Sequence, residues 1–252
     1  LGLMDDLKSQ LATVRLFLQV LLGIALAFML LQVPFTSPGS IATLMIAALL
    51  AVLLTNATNF MDGLNGMSSL HGILIGGIYW VLLHDTGSDW VPIAGVTVAV
   101  SLAFLPWNWG SRARMFMGDS GSYLLGALFS GLSLASWQSG VSLWVALAPM
   151  TIYLVDVCAT LARRSATGEH LLSPHRGHTY QQLHDGGMGH TKTSLIVGVF
   201  TLGAGVLAIA AQQDLVNTPV SLLCLGMLSI LYLFLPKLCR SKRFGASQEG
   251  AP

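Results

Sequence analysis

The chain has 252 residues, of which 54% are hydrophobic and only 9% charged, and its formal net charge is +1. Apolar runs of about 20 residues, long enough to cross a bilayer, recur along it, so a soluble globular domain is excluded, and so small a charge indicates no nucleic-acid partner. Three cysteines without CxxC spacing favour neither a disulfide framework nor a zinc knuckle. We therefore predict an all-α, polytopic membrane protein in which residues 1–252 form one integral membrane domain.

The chain begins Leu-Gly-Leu-Met-Asp-Asp, with no Met at position 1 and no charged signal-peptide segment, and we expect its natural start to lie upstream. Asp5 and Asp6 precede the first apolar run. Adjacent carboxylates on a helix point in different directions, so one can face a metal or a phosphate-bound cation while the other faces a proton or a lysine. The alternative is that both are helix N-terminal charges favoured by the macrodipole.

Eight membrane spans are predicted in chain order, separated by turn residues. If the spans alternate in direction, the odd-numbered loops contain no Lys or Arg, and all twelve basic residues lie on the other side. The positive-inside rule makes that side the cytoplasm of a cell (inner) membrane, where the basic tail at residues 237–252 is expected to contact anionic headgroups. The spans cover about residues 12–33, 40–58, 68–84, 90–107, 121–137, 141–162, 193–211 and 219–236.

A polar segment at residues 56–66, Asn-Ala-Thr-Asn-Phe-Met-Asp-Gly-Leu-Asn-Gly, separates the second and third spans. An aspartate at the centre of a membrane helix costs about 2.5 to 3.5 kcal/mol on insertion scales, so Asp62 must lie at an interface or line a polar cavity. Asn56 and Asn59 share a face if the helix continues to them. The glycines that follow allow a sharp turn, Ser68 or Ser69 is expected to cap the next helix, and that helix N-terminus is suited to an anion.

Asp119 lies in Phe-Met-Gly-Asp-Ser-Gly-Ser, at the start of the fifth span. A lone aspartate or the adjacent Ser120 in this position is usually a helix cap. Opposite a second loop of Asp and Asn, however, the carboxylate is a hard oxygen ligand suited to Mg²⁺, which takes one or two carboxylates and leaves the rest of its shell to water and phosphate.

The one long hydrophilic loop, residues 163–192, contains five of the seven histidines. Arg176 and His178 are close in sequence there, a pairing suited to a diphosphate. The alternative is a zinc site on His175 and His178, which no cysteine accompanies. Asp156 in the sixth span is either a functional acid or a partner in a salt bridge or helix–helix hydrogen bond, and His71 is expected to be packed.

With this topology all the polar motifs come out on the cytoplasmic side. We therefore expect one cytoplasmic active site, assembled from loops near residues 1–11, 56–67, 108–120 and 163–192.

These segments, in this order, resemble the polyprenyl-phosphate N-acetylhexosamine-1-phosphate transferases, a superfamily that includes the MraY and WecA enzymes. The resemblance extends from Leu1 to about Lys192 and implies about three further membrane spans before the Asp-Asp pair. Two features depart from the pattern of many members. Asn65 stands where a second aspartate is common, and Thr-Tyr-Gln follows His178 where further histidines are common. The late-loop pattern is similar to a WbpL/WbcO-like branch associated with O-antigen.

The resemblance implies attack by a polyprenyl phosphate on the sugar-bound phosphorus of a UDP-N-acetylhexosamine, which releases UMP and starts a lipid-linked cell-envelope glycan such as O-antigen. It implies Mg²⁺, with Mn²⁺ as an alternative, on Asp119 with Asn59 as a further oxygen ligand. The partners implied are the two substrates and membrane lipids. The implied catalytic residues are Asp5, Asp6 and Asp62, with Asp5 or Asp6 as the base, and the implied substrate-binding residues are Asn56, Asn65, Arg176 and His178.

Two other functions compete with this interpretation. A divalent-cation transporter would also combine acids and histidines with membrane helices, but transport needs polar groups near the midplane of several helices, and Asp156 is the one strong candidate for such a group. A CDP-alcohol phosphotransferase would carry an Asp-Gly-x-x-Ala-Arg signature, which the sequence lacks.

Overall fold

The computed structural model describes residues 1–8, 10–32, 37–169 and 176–248, with side chains up to Cys239. No strand occurs within these ranges. The helices there are α1 Gly2–Leu7, α2 Ala12–Leu31, α3 Pro38–Met61, α4 Met67–His84, α5 Val91–Asn108, α6 Gly118–Gln138, α7 Leu143–Leu147, α8 Thr151–Ala166, α9 Thr179–Leu183, α10 Gly189–Gln212 and α11 Thr218–Gln248. Short 3₁₀ turns at Gly110–Arg112 and Ala148–Met150, and a π turn at His184–Met188, connect some of them.

The predicted all-α polytopic fold is confirmed. Each of the eight predicted spans corresponds to a helix, except that the sixth is divided into α7 and α8 by the 3₁₀ turn at Ala148–Met150. Pro149 lies in that turn, and a proline cannot donate the backbone hydrogen bond that a continuous helix needs. Seven helical segments of the described chain are long and apolar enough to cross a membrane. The predicted turn at Pro34 lies outside the described residues.

Helix α6 is the predicted span that falls outside those seven segments, because serines occupy much of its buried surface. The hydroxyls of Ser130, Ser133 and Ser136 each donate to the carbonyl oxygen four residues earlier, at 2.7 to 2.8 Å. Ser130 also reaches the carbonyl oxygen of Ala51 in α3 at 3.1 Å. Their hydroxyls are therefore satisfied without water, so α6 can lie inside the bundle.

Small residues let neighbouring helices approach closely, as is usual where helices pack inside a membrane. A Cβ on Gly126 of α6 would lie 2.7 Å from the Cα of Thr55 in α3. A Cβ on Gly23 of α2 would lie 2.9 Å from the carbonyl oxygen of Ala48 in α3. Helix α3 is thereby held tightly between α2 and α6.

Among the seven apolar segments, α4 and the α7–α8 pair are the most buried, whereas α2, α5 and α11 bury the smallest shares of their spans. The hydroxyl of Tyr79 in α4 bonds both Ser133 of α6, at 2.5 Å, and the carbonyl oxygen of Ala146 in α7, at 2.8 Å. This arrangement brings the end of α3 and the starts of α2, α4 and α6 together at one end of the bundle, where the short helix α1 also packs on α6.

Candidate active site

Asp6 of α1 provides the N-terminal cap of α6. Its Oδ1 accepts from the backbone N–H of Asp119 at 2.9 Å, and its Oδ2 accepts from the backbone N–H of Ser120 at 2.9 Å and from the Ser120 hydroxyl at 2.5 Å. The expected cap by Asp119 or Ser120 is therefore replaced by a carboxylate from another segment. Hydrogen bonds from Ser120 and Asp119 hold the pKa of Asp6 below its usual range.

Asp5 points in a different direction from Asp6, as predicted for adjacent carboxylates. Its Oδ1 accepts from the backbone N–H of Gln10 at 2.6 Å, and its Oδ2 lies 2.7 Å from Nη1 of Arg15 in α2. Its carboxyl group is also within hydrogen-bonding reach of Asp119. Burial opposes the change, but the hydrogen bonds with Asp119, Gln10 and Arg15 lower the pKa of Asp5.

Asn59, in the last turn of α3, faces the same centre. Its Nδ2 donates to Oδ1 of Asp119 at 2.8 Å and to the hydroxyl of Ser122 at 2.9 Å. Asn56 does not join it, because its Nδ2 donates to Oε1 of Gln19 in α2 at 2.6 Å. The structure thus brings Asp5, Asp6, Asn59 and Asp119 together; we call these four residues the acidic cluster.

Asp62 follows α3 directly and is partly buried. The hydroxyl of Ser68 donates to its Oδ1 at 2.5 Å, so Ser68 supports this carboxylate, and the N-cap position of α4 is taken by Gly66 instead. Burial raises the pKa of Asp62 to about 7 from an ordinary value of 3.8, and the Ser68 bond opposes that rise only in part.

The turn between α3 and α4 is held by groups from α5 and α10. Gly66 has a positive φ of 81°, and its N–H donates to Oδ1 of Asn108 at 2.8 Å. Asn65 donates from Nδ2 to the carbonyl oxygen of Gly110 at 2.8 Å, and its backbone N–H reaches Nδ1 of His190 at 3.3 Å. The side chain of Asn65 therefore anchors the turn from which a substrate would be contacted.

The late loop separates the two side chains that the sequence pairs. The Arg176 side chain is 66% exposed and lies 3.1 Å from Asp185. The His178 side chain is only 3% exposed and lies 3.2 Å from Asp156. Their joint role at a diphosphate remains a prediction. His175, the other residue of the zinc alternative, lies outside the described residues.

Tyr180 connects this loop to the polar segment after α3. Its hydroxyl donates to the carbonyl oxygen of Phe60 at 2.9 Å. A Cβ on Gly63 would collide with that hydroxyl, so a glycine is needed at position 63 for this close approach. The loop that carries His178 consequently packs beside Asp62. His71, in contrast, is fully buried away from solvent, as expected for a packed side chain.

Comparison with known proteins assigns the chain to a family. The sequence model of glycosyl transferase family 4 matches residues 1–137, more than half of the chain, including the whole acidic cluster and Asp62. The chain belongs to glycosyl transferase family 4. Members of this family are therefore the natural reference for the site.

Relatives that match most of the chain include a mycobacterial and a Bacillus protein. The decaprenyl-phosphate N-acetylglucosaminephosphotransferase of Mycobacterium tuberculosis (strain CDC 1551 / Oshkosh) is 28% identical over 228 residues, which cover 79% of this chain and 55% of that protein. A Bacillus subtilis (strain 168) protein named "probable undecaprenyl-phosphate N-acetylglucosaminyl 1-phosphate transferase" is 28% identical over 227 residues, 82% of this chain and 62% of that protein. The chain thus spans a little over half the length of these relatives.

A third relative matches a shorter region. The phospho-N-acetylmuramoyl-pentapeptide-transferase of Streptococcus equi subsp. zooepidemicus (strain MGCS10565) is 31% identical over 108 residues, which cover 42% of this chain and 31% of that protein.

The acidic cluster of this family 4 protein has donors that suit a magnesium ion. No group of three or more histidine, cysteine or carboxylate side chains that could hold a metal occurs within the described ranges. Mg²⁺ is usually bound through only one or two carboxylates, and the carboxyl groups of Asp5 and Asp119 lie within hydrogen-bonding reach of each other. Two carboxylates so close repel each other unless a proton or a cation lies between them, so these residues fit the ion.

Sequence reasoning missed several supporting residues of the site. Arg15 could have been noticed as a cation in the first turn of a long apolar span, and Asn108 as an amide that closes another. Gln19 and Tyr180 carry no such signal, because each acquires its role from a partner distant in sequence.

Proposed function

We propose that this family 4 protein transfers N-acetylhexosamine 1-phosphate from a UDP-sugar to a polyprenyl phosphate, releases UMP and so starts a lipid-linked cell-envelope glycan. The acidic cluster beside the partly buried Asp62 is the observation that carries this proposal. It collects four oxygen-bearing side chains from three helices at one end of a membrane bundle, where a lipid phosphate and a soluble nucleotide can meet. The names of the two long relatives support the same reaction type.

An apolar groove next to the cluster supports a lipid acceptor. The groove has a volume of about 560 Å³ and runs between α1, α2, α3 and α6. Ser120, whose hydroxyl bonds Asp6, is one of its lining residues. An isoprenoid chain in this groove would bring its phosphate to the acidic cluster. Its apolar lining includes Leu22, Leu26, Val52, Leu124 and Ala127.

In this proposal Asp5 and Asp119 hold Mg²⁺, which when bound neutralises phosphate oxygens. Asp6 uses both carboxylate oxygens on the start of α6, so it fixes the position of Asp119 and is poorly placed to accept a proton. Asn59 donates a hydrogen bond to the carboxylate of Asp119 and so orients it. The acidic cluster therefore divides into residues that bind the cation and residues that hold them in place.

Asp62 is the acid best suited to a proton transfer, because a pKa near the working pH makes a general base effective and burial raises the pKa of Asp62 to about 7. The acceptor phosphate would give its proton to Asp62 and form a bond from oxygen to the sugar-bound phosphorus. The bond from that phosphorus to the bridging oxygen breaks, and its electron pair leaves with UMP.

A cation transporter receives less support from the geometry. Asp156, the one strong intramembrane acid, accepts hydrogen bonds from backbone and side-chain donors. A transport site would instead need ligands near the midplane of several helices.

The test is an incubation of membranes, containing the full-length protein, with labelled UDP-N-acetylglucosamine or UDP-N-acetylgalactosamine, undecaprenyl phosphate and Mg²⁺. We expect a labelled lipid and release of UMP. Asp119→Asn should reduce formation of that lipid by at least ~100-fold, whereas Asp89→Asn, an exposed acid at the opposite end of the bundle, should leave it unchanged. Absence of a labelled lipid with every UDP-sugar and metal tried would reject the proposed reaction.

A further inference from the structure

Asp156 is a fully buried carboxylate in α8 that joins three helices. Its Oδ1 accepts from the backbone N–H of Thr179 at 2.8 Å, and its Oδ2 accepts from the backbone N–H of Tyr180 at 3.3 Å. Oδ2 also accepts from the hydroxyl of Tyr232 in α11 at 2.6 Å. The hydroxyl of Thr160 donates to Oδ1 at 3.4 Å, and Nδ1 of His178 lies 3.2 Å from Oδ1.

The other neighbours of Asp156 show which atom donates and which accepts in its contact with His178. Two backbone N–H groups can only donate, so the oxygens of Asp156 act as acceptors on both sides of the carboxylate. Since Asp156 accepts a hydrogen bond from each of these donors, we infer that its Oδ1 also accepts from Nδ1 of His178. The hydrogen at this contact therefore lies on Nδ1 of His178.

Other contacts hold the imidazole in place beside the end of α3. The ring of Tyr180 stacks on it with centroids 5.7 Å apart, and the ring of Phe60 lies 6.2 Å away. The backbone N–H of His178 donates to Oε1 of Gln181 at 3.1 Å. Phe60 is two residues before Asp62, the acid to which the proton transfer is assigned.

We propose that Asp156 is a positioning residue that sets the tautomer and orientation of His178, and that turnover depends on this pair. The inference rests on the proposed function for its kinetic part, while the protonation of Nδ1 is a property of the protein alone. A carboxylate that orients an imidazole and stabilises its charged form acts in the same way in serine proteases, where removing its charge is costly although the carboxylate never touches the substrate.

Nitrogen NMR of purified protein labelled with ¹⁵N-histidine tests the tautomer directly. The His178 signals are those lost in His178→Gln. We expect Nδ1 to carry a proton in the wild-type protein, and a wild-type Nδ1 without a proton would overturn the assignment of Asp156. This measurement needs no substrate, so it is decisive even if the wild-type protein makes no labelled lipid, an outcome that would count only against the proposed function.

Turnover of the variants tests the dependence. Asp156→Asn removes the charge at nearly constant volume and should lower kcat by at least ~10-fold with little change in KM for the UDP-sugar. Because Asp156 acts through His178, the double variant Asp156→Asn/His178→Gln should be no slower than His178→Gln alone. Independent, additive losses would contradict the proposal.

Thr179→Pro is the matched control for a purely structural role of Asp156. It deletes the backbone donor to Oδ1 but leaves the His178 contact, and proline is accepted at the first position of a helix. His178 has φ −63° and ψ 150°, a conformation that suits the residue before a proline. We expect Thr179→Pro to retain most turnover. If it loses as much as Asp156→Asn, Asp156 only anchors α9 and the proposal fails.

Discussion

Three candidate acids of the site, Asp5, Asp6 and Asp62, differ in environment, although the sequence presents them as similar candidates. Asp6 is exposed and takes three hydrogen bonds. Asp5 is buried but paired with Arg15. Asp62 is partly buried and accepts from one hydroxyl, that of Ser68, in the described chain. Environments that push the pKa values of nearby acids apart are how one site assigns different tasks to the same side chain.

The raised pKa of Asp62 makes stability depend on pH. Its folded pKa of about 7 exceeds the ordinary value of 3.8, so between these values the folded state binds more protons than the unfolded state. The free energy of unfolding should therefore fall as pH rises from about 4 to about 7. Asp62→Asn should remove this dependence. Near pH 7 the variant should have a free energy of unfolding that exceeds that of the wild type by a few kcal/mol at most, since one pKa unit corresponds to about 1.4 kcal/mol.

Thermal unfolding of the purified protein in detergent, at several pH values between 5 and 8, measures this effect. Asp214→Asn, an exposed acid in the connection before α11, serves as the control and should keep the wild-type pH dependence. Parallel curves for the wild type and Asp62→Asn would show that the carboxylate is not desolvated in the folded protein.

Individual site residues were predictable where a motif carried them. The sequence motifs pointed to Asp5, Asp6, Asn59 and Asp119, and the structure gathers all four. Asn56 was expected on the face of Asn59, three residues away on the same helix, but its amide donates to Gln19 of α2 and not to the acidic cluster. The hydrogen-bond partner of a side chain depends on which residues lie near it in the fold, and a single sequence does not show them.

At the scale of helices, hydropathy and turn residues predicted the long spans well, because about 20 apolar residues and a proline or glycine turn leave few alternatives. The short elements were missed. Helix α9 has only five residues, too few to be stable by themselves, and it forms because Asp156 accepts two of its backbone N–H groups. Its existence is a property of the folded bundle.

The close contact of α3 and α6 gives a test of the packing. Gly126→Ala would place a methyl group 2.7 Å from the backbone of Thr55, so the two helices must move apart, at a cost of about 1 to 3 kcal/mol. Because Asn59 and Asp119 meet across the same two helices, turnover should fall with stability. Melting temperature and labelled-lipid formation are the measurements.

Gly77→Ala in α4 is the matched control, because a Cβ there meets nothing within 4 Å. Alanine stabilises a helix interior by up to about 1 kcal/mol relative to glycine, so this variant should melt at the wild-type temperature or slightly above it. Equal melting temperatures for Gly77→Ala and Gly126→Ala would contradict the described contact between α3 and α6.

At the scale of the whole molecule, the polar chemistry gathers at one end of the bundle. The acidic cluster is joined by hydrogen bonds there, and Tyr180 of α9 bonds to Phe60 at the end of α3, two residues before Asp62. The basic residues Arg15 and Arg112 belong to the segments that meet at this end. The sequence assigned this same end to the cytoplasm from Lys and Arg alone. A UDP-sugar would be supplied from that side, so the proposed reaction and the charge distribution require the same orientation.

Cysteine labelling in intact cells tests that orientation. In a background without Cys158, Cys224 and Cys239, a cysteine is placed at Ser88, in the connection between α4 and α5, or at Gly186, where an added side chain meets nothing within 4 Å. An impermeant thiol reagent should label Ser88→Cys in intact cells and Gly186→Cys only after the cells are opened. Since the two positions lie at opposite ends of the bundle, each variant is the other's control, and labelling of Gly186→Cys from outside would invert the topology and exclude a cytoplasmic nucleotide site.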